Sequence, residues 1–281
     1  MLFPYHDENP TRRFPWVTVI LIAINVWCFI GVFRKPEEDV ERTLFRYGFV
    51  PLRLTVAFTG KPVLVDSKYL PAAVITDLQK ESSDRFFATS WFRRGVPSSY
   101  VRFDPEPLLS VLWSMITCMF LHGGVGHLLG NMWFFWLFGN NVEDRLGPLR
   151  FLIFYLAAGL IASLAHYVFN PLSPIPTVGA SGAISAAMGA YLVVWPTARV
   201  WCLFILGFFI TRVAVPAWTL LVFWFMEQIL GVLASIGGTG IGGVAWWAHI
   251  AGFLSGIFLL PFLAPPPEPR KKVVYVNEEF F

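Results

Sequence analysis

Apolar positions fall in long unbroken blocks, separated by short polar stretches rich in glycine and proline. The first block, "PWVTVILIAINVWCFIGVF", covers 15–33, and others follow at 127–142, 149–169, 181–195, 216–236 and 245–264. A bilayer core about 30 Å thick takes about 20 apolar residues in helical form. The pattern therefore predicts six membrane helices in one domain, 15–264. The run "VWCLFILGFFIT" at 200–211 is too short to cross as a helix, so it is expected at the interface or packed against protein. A long polar connection, 34–125, separates the first two blocks. Its beginning, "RKPEEDVERTLFRYGFVPLRL", is charged and predicts a helix, and its middle shows no readable fold. Its end, "PEPLLSVLWSMITCMFLHGG", is apolar but short, which suits the plane of the membrane interface. Residues 1–14 and 265–281 are expected to be polar tails, and no internal repeat is visible. The fold expected is an all-α membrane protein, a six-transmembrane-helix bundle with a long external loop between helices 1 and 2.

Composition agrees with lipid as the solvent. Of 281 residues, 56% are hydrophobic and only 14% charged, against about 25% charged in soluble domains. The first block lacks a small-x-small cleavage site, so it is expected to be an uncleaved anchor. "TRRFPW" hints at a twin-arginine signal, but a basic flank of a membrane helix is the simpler account. With six crossings, one side of the membrane holds Arg12, Arg13, Arg145, Arg150, Arg199, Arg212, Arg270, Lys271 and Lys272. The short loops "NPLSPIPTVG" and "SIGGTGIGG" on the other side hold no lysine or arginine. The positive-inside rule then makes both termini cytoplasmic. The net charge of +3 reflects this topology, with no basic stripe for nucleic acid. Cys28, Cys118 and Cys202 stand singly, giving no disulfide framework and no metal set, and no cofactor is expected.

One block begins unusually. "TVGASGAISAAMGAYLVVWP" (177–196) opens on Ser181 among Gly179, Ala180 and Gly182. A lone serine in a membrane helix commonly bonds its own backbone or packs against a neighbour, and Ser181, Ser185 and Gly189 make one smooth face for close approach. The block is also short. Its 15 residues rise roughly 22 Å, so with Trp195-Pro196 at one surface its other end lies below the opposite surface. Non-helical "PTVGA" is tolerated at that depth only where it lines a watered, protein-walled cavity. The helix N-terminus there offers free N–H groups that suit a developing oxyanion.

Two further polar sites lie at matching depth. In "AWWAHIAGFLSG", His249, Gly252 and Gly256 share one face, and the glycines form a close-contact surface pointing the imidazole at a neighbouring helix. In "HLLGN", His127 and Asn131 share a face at i, i+4. Both side chains can donate hydrogen bonds, although His127, at a helix start, also suits capping. An intramembrane histidine is a functional candidate by default. A neutral His249 would take the Ser181 proton, making it a nucleophile, while Asn131, His127 and backbone N–H groups would hold the oxyanion. No aspartate lies in the blocks, so this is a dyad without an orienting carboxylate. Glu227, the one acid within a block, sits roughly 16 Å along its helix from Pro216. It is read as protonated or structurally paired rather than as a third catalytic member. His122 and His166 are expected as interfacial side chains, and Glu143 and Arg145 as structural. A transporter or channel would need polar residues through the full membrane depth, whereas these gather in one layer.

"GASG", "AHIAGFLSG" and "HLLGN" resemble the GxSG, AHxxGxxxG and HxxxN patterns of the rhomboid intramembrane serine proteases, and "VEDRLG" resembles that family's ExR element at Glu143 and Arg145. The resemblance implies a six-helix core and cleavage of other membrane proteins' transmembrane segments. It also implies a Ser181–His249 dyad, oxyanion help from His127 and Asn131, helix packing through Gly182, Gly252 and Gly256, and a lateral gate at the fifth helix. Partners would be substrate transmembrane segments and the lipid bilayer, in a bacterial plasma membrane. Two positions depart from the family. Trp113-Ser114 replaces a frequent Trp-Arg pair, and Ser185 stands where some members place a tyrosine that stacks on the catalytic imidazole. A rhomboid-like pseudoprotease that binds clients without cutting is the alternative.

Overall fold

The six long apolar blocks are helical in the computed structural model, which describes residues 2–86, 99–236 and 243–265. They form α1 (Trp16–Phe33), α6 (Val125–Phe134), α8 (Pro148–Phe169), α9 (Ser181–Val194), α10 (Ala217–Ile236) and α11 (Trp246–Leu263). α6 continues through a π-helical turn, Phe135–Gly139, into α7 (Asn140–Leu146). Among the described residues, four helices (α1, α8, α10 and α11) are long and apolar enough to cross a membrane. A fifth candidate is a broken pair, Leu108–Phe120 with Val125–Leu146, bent by 82°. α9 is apolar but shorter.

Small side chains put α9 at the centre. Residues Gly182 to Tyr191 are all buried, with α8 and α11 packed on it. A Cβ on Gly252 would strike the Gly182 carbonyl oxygen, and one on Gly256 the Ala186 carbonyl oxygen. Gly189 reciprocates, since its Cβ would strike the Phe253 carbonyl oxygen. The two helices thus meet backbone to backbone. Gly182 completes the fit on the α8 side, where a Cβ would come within 2.5 Å of the Ala162 Cβ.

The bundle end opposite Ser181 is tied by polar groups. Glu143 accepts from the Val17 N–H (2.9 Å), the Thr18 N–H (2.7 Å) and the Thr18 hydroxyl (2.7 Å), capping the N-terminus of α1. Arg145 donates to the Pro265 carbonyl at 3.1 Å. Both residues are structural, as their positions in the sequence suggest.

The chain is not all-α. Among the described residues, five strands join the helices: β1 (Leu2–Asp7), β2 (Val63–Asp66), β3 (Tyr100–Phe103), β4 (Arg199–Leu206) and β5 (Phe209–Pro216). β1, β4 and β5 form an antiparallel sheet in that order. Residues 2–7 are therefore a docked strand rather than a free tail, and the 200–211 run is a hairpin. Its strands are rich in the β-branched and aromatic residues that favour a pleated surface, and Gly207 takes the positive φ (59°) of its two-residue turn. Asp7 anchors the sheet. Its carboxylate accepts from the Tyr191 hydroxyl (2.7 Å) and the Asn141 amide (3.0 Å), and burial pushes its pKa up against those two bonds.

The 34–125 connection folds as well. α2 (Glu37–Tyr47), α3 (Pro51–Thr59), α4 (Ala72–Phe86) and the β2–β3 pair enclose a small core of Phe45, Val50, Leu52, Val56, Val74, Val101 and Phe103. Its last helix, α5 (Leu108–Thr117), exposes Leu109 and Trp113. The expected tail 265–281 lies, beyond Pro265, outside the described residues.

Candidate active site

Ser181 is the first residue of α9, following Ala180 at the N-cap, which makes no side-chain cap bond. Its position is fixed from both directions. Ahead of it, Phe49 and Thr177 exchange backbone bonds at 3.0 and 2.8 Å, the Thr177 hydroxyl adds a bond to the Phe49 carbonyl (2.9 Å), and the Leu52 N–H donates to the Ser173 carbonyl (3.0 Å). The 34–125 region thus buttresses the loop that delivers the serine. Gly179, whose N–H donates to the Cys118 carbonyl at 2.8 Å, has φ +125°, a conformation that strains any residue with a Cβ. A Cβ there would also lie 2.9 Å from the His127 ring. Only glycine lets that imidazole come beside the serine.

His249 meets Ser181 across the glycine seam, its Nε2 lying 2.8 Å from Oγ. The other ring nitrogen, Nδ1, lies 2.8 Å from Oε1 of Gln228 on α10. Gln228 is buried, and its amide N–H donates to the Trp224 carbonyl at 3.0 Å. A carbonyl only accepts, so the Gln228 amide nitrogen must face it, leaving the amide oxygen toward His249. Nδ1 then carries the proton, and Nε2 is the free acceptor for the serine hydroxyl. One neutral amide selects the tautomer that a general base requires.

Along the sequence the acid Glu227 stands out, but it is its neighbour Gln228 that reaches His249. Glu227 is exposed on α10 and makes no ion pair among the described residues. An uncharged amide within an otherwise apolar block was the available signal. The side-wall of His249 also differs from expectation. Trp224 and Trp246 flank the imidazole at centroid distances of 6.0 and 6.3 Å, whereas Ser185 turns back to donate to the Ser181 carbonyl at 2.6 Å.

The two remaining candidates separate. His127 lies beside Gly179 and Ser181, its Nδ1 accepting from the Gly123 N–H at 3.3 Å. Asn131 is buried one turn along, but its amide donates to the His127 carbonyl at 2.8 Å, so its N–H is engaged within its own helix. His122 is buried edge-on against His127, 5.1 Å between centroids, rather than interfacial. The apolar "CMFLHGG" turn carries it inward. His166 is half-buried and lines a cavity of about 30 Å³ together with Ser163, Gly179 and Ser181. Among the described residues, no three histidine, cysteine or acidic side chains gather as a metal set.

This geometry can be set beside known proteins. The model of the Rhomboid domain family matches residues 110–266, more than half of the chain. The chain belongs to the rhomboid family. It is an integral, multi-pass membrane protein on the strength of that domain and its apolar helices. Relatives include the Rhomboid protease GluP of Bacillus subtilis, 46% identical over 82 residues, covering 29% of this chain and 16% of that protein. The Putative rhomboid protease YdcA of the same organism is 44% identical over 80 residues, 28% of this chain and 40% of the relative. RHOMBOID-like protein 6, mitochondrial, of Arabidopsis thaliana is 33% identical over 195 residues, 66% of this chain and 53% of the relative. In each case the match spans little more than half of the relative, or less.

Proposed function

We propose that this chain is an intramembrane serine endopeptidase that hydrolyses peptide bonds in or near the transmembrane segments of other membrane proteins. The observation that carries the reading is the Ser181–His249–Gln228 relay, with 2.8 Å at each of its two contacts. His249 Nε2 takes the Ser181 proton as Oγ attacks the scissile carbonyl. The oxyanion forms at the N-terminus of α9, where first-turn N–H groups lack intrahelical partners and His127 stands beside Gly179. The C–N bond then breaks, and the proton on His249 passes to the leaving amine. A water, for which the adjoining cavity of about 30 Å³ has room, then gives His249 a proton and attacks the acyl-enzyme. Ser181 is restored. Asn131 joins the oxyanion site by releasing the His127 carbonyl.

In this reading α1, the α6–α7 unit, α8, α9, α10 and α11 make six crossings of one domain, 15–264. Arg12, Arg13, Arg145, Arg150 and Arg199 mark the cytoplasmic side of a bacterial plasma membrane, Arg212 being carried up the hairpin opposite Leu203, and the 34–125 region lies outside. Ser181 sits below the outer surface because α9 is too short to span. A helical segment hides its peptide bonds in internal hydrogen bonds, so substrates are those carrying glycine or proline near the outer face.

The test is cleavage of a single-span protein bearing such residues, with enzyme and substrate in one liposome. Wild type should cut, while Ser181→Ala and His249→Ala should not. Binding without cutting by wild type would make the chain a pseudoprotease instead.

A further inference from the structure

The β1–β4–β5 sheet has no role in the chemistry above, yet it does not hang from the bundle. The Trp133 indole N–H donates to the Pro4 carbonyl at 2.6 Å, Phe3 lies 5.2 Å from the Trp133 ring, and Asp7 holds Asn141. Pro4 to Asp7 is about 10 Å of strand, and Trp133 to Asn141 is about 12 Å of helix. β1 therefore runs along α6 and its π-helical turn, rising toward the Ser181 end. Its partner β4 pairs Cys202 with Pro4, so Leu206 lies about 13 Å further up. His127 lies only about 9 Å above Trp133. The hairpin thus climbs to the level of the dyad, flanked by α6 on the β1 side and leading into α10 from β5.

Two independent features mark its outer side. The tip exposes Leu206, Phe208, Phe209 and Ile210 together, an apolar surface suited to lipid. Second, among the described residues β5 pairs with β4 alone and is an edge strand. The two-residue turn makes Leu206 and Phe209 a hydrogen-bonded pair. Alternation from that pair puts Arg199 and Pro216 at a non-bonded position, as the missing proline N–H requires. It also turns the N–H and C=O groups of Ile210, Arg212 and Ala214 away from β4. Soluble proteins blunt such edges with bulges, proline or cover, and within a bilayer an open edge lacks even water as a partner.

A client helix has the complementary problem. To expose a scissile bond it must unwind, which frees its own N–H and C=O groups in the same layer. Resting on the protease reading above, we propose that the outer edge of β5, at Ile210, Arg212 and Ala214, is a docking edge. An unwound transmembrane segment of the client adds there as a fourth strand on its way to Ser181. Main-chain bonding gives this step little sequence demand, so helix weakness rather than side-chain identity selects the client.

The experiment is disulfide trapping in liposomes. Ile210→Cys is placed in an uncut-complex background, Ser181→Ala with Cys28→Ser, Cys118→Ala and Cys202→Ala. Single cysteines are moved through ten successive client positions around the cleavage site. Strand addition predicts cross-links at every second position. A period of three to four, or no cross-link at any position, overturns it. As a kinetic counterpart, Ala214→Pro removes one outward N–H without touching the β4 ladder. It should lower kcat/KM for the client about tenfold, with fluorophosphonate labelling of Ser181 unchanged. Unchanged kcat/KM counts against the edge. If wild type fails to label, the protease reading itself falls, a separate outcome.

Discussion

α11 has two neighbours that bear on the dyad, and it meets them in opposite ways. Against α9 it packs through Gly182, Gly189, Gly252 and Gly256, backbone on backbone. Against α10 it packs through Trp224, Phe225 and Trp246, large rings that leave one polar contact, Gln228 to His249. The first seam has no room to yield, because close-packed backbones cannot rotate out of the way as side chains can. The second depends on side chains of the span with the least buried surface, 17% of its window. The lesson is a division of labour. Ser181 and His249 are held together by the close-packed seam, while the tautomer and aim of His249 depend on a peripheral helix with little buried surface.

Breaking the rigid seam should have the largest effect. Gly252→Leu forces α9 and α11 apart, and a displacement of about 1 Å costs about 10²-fold in rate. Client cleavage should fall at least that far, with the protein still inserted and folded by circular dichroism. Full activity would deny the backbone contact its role. His127→Ala comes next. It should lower kcat by about 10²-fold, and Asn131→Ala by less, because the Asn131 amide is already engaged at 2.8 Å. Equal losses would show that Asn131 turns fully toward the oxyanion.

On the α10 side the effects are smaller. Gln228→Leu removes the hydrogen bond to His249 together with the one to the Trp224 carbonyl, and should reduce kcat about tenfold with little change in KM. Gln228→Glu should recover much of that, since a carboxylate accepts from Nδ1 equally well, whereas a purely structural role would not be rescued. Smallest for catalysis is Glu143→Ala. It uncaps α1 and should cost about 2 kcal/mol of stability in a denaturant titration, with labelling of Ser181 unaltered.

Much of this was legible along the chain because membrane burial writes strong signals. Ser181, His249 and the glycine faces were readable since small residues at helical spacing mark close contact, and the dyad lies on the seam they define. The hairpin was not readable as strands, because "VWCLFILGFFIT" is continuous apolar sequence without alternation. Residues 2–7 looked like a tail because their partner lies about two hundred residues away, at Arg199–Leu206. The 34–125 fold was hidden for the same reason, its β2–β3 pairing joining residues 63–66 to 100–103 across α4. Gln228 escaped notice since a neutral amide beside a charged Glu227 draws less attention, and only the Trp224 carbonyl shows which way it turns.

The most direct test of the central claim is to react the liposome-embedded protein with a fluorophosphonate and locate the adduct by mass spectrometry. A relay through Nε2 predicts a single modified peptide carrying Ser181. The adduct should be absent in His249→Ala and form about tenfold more slowly in Gln228→Leu. An adduct on another serine, or labelling of Ser181 that proceeds undiminished without His249, would contradict it.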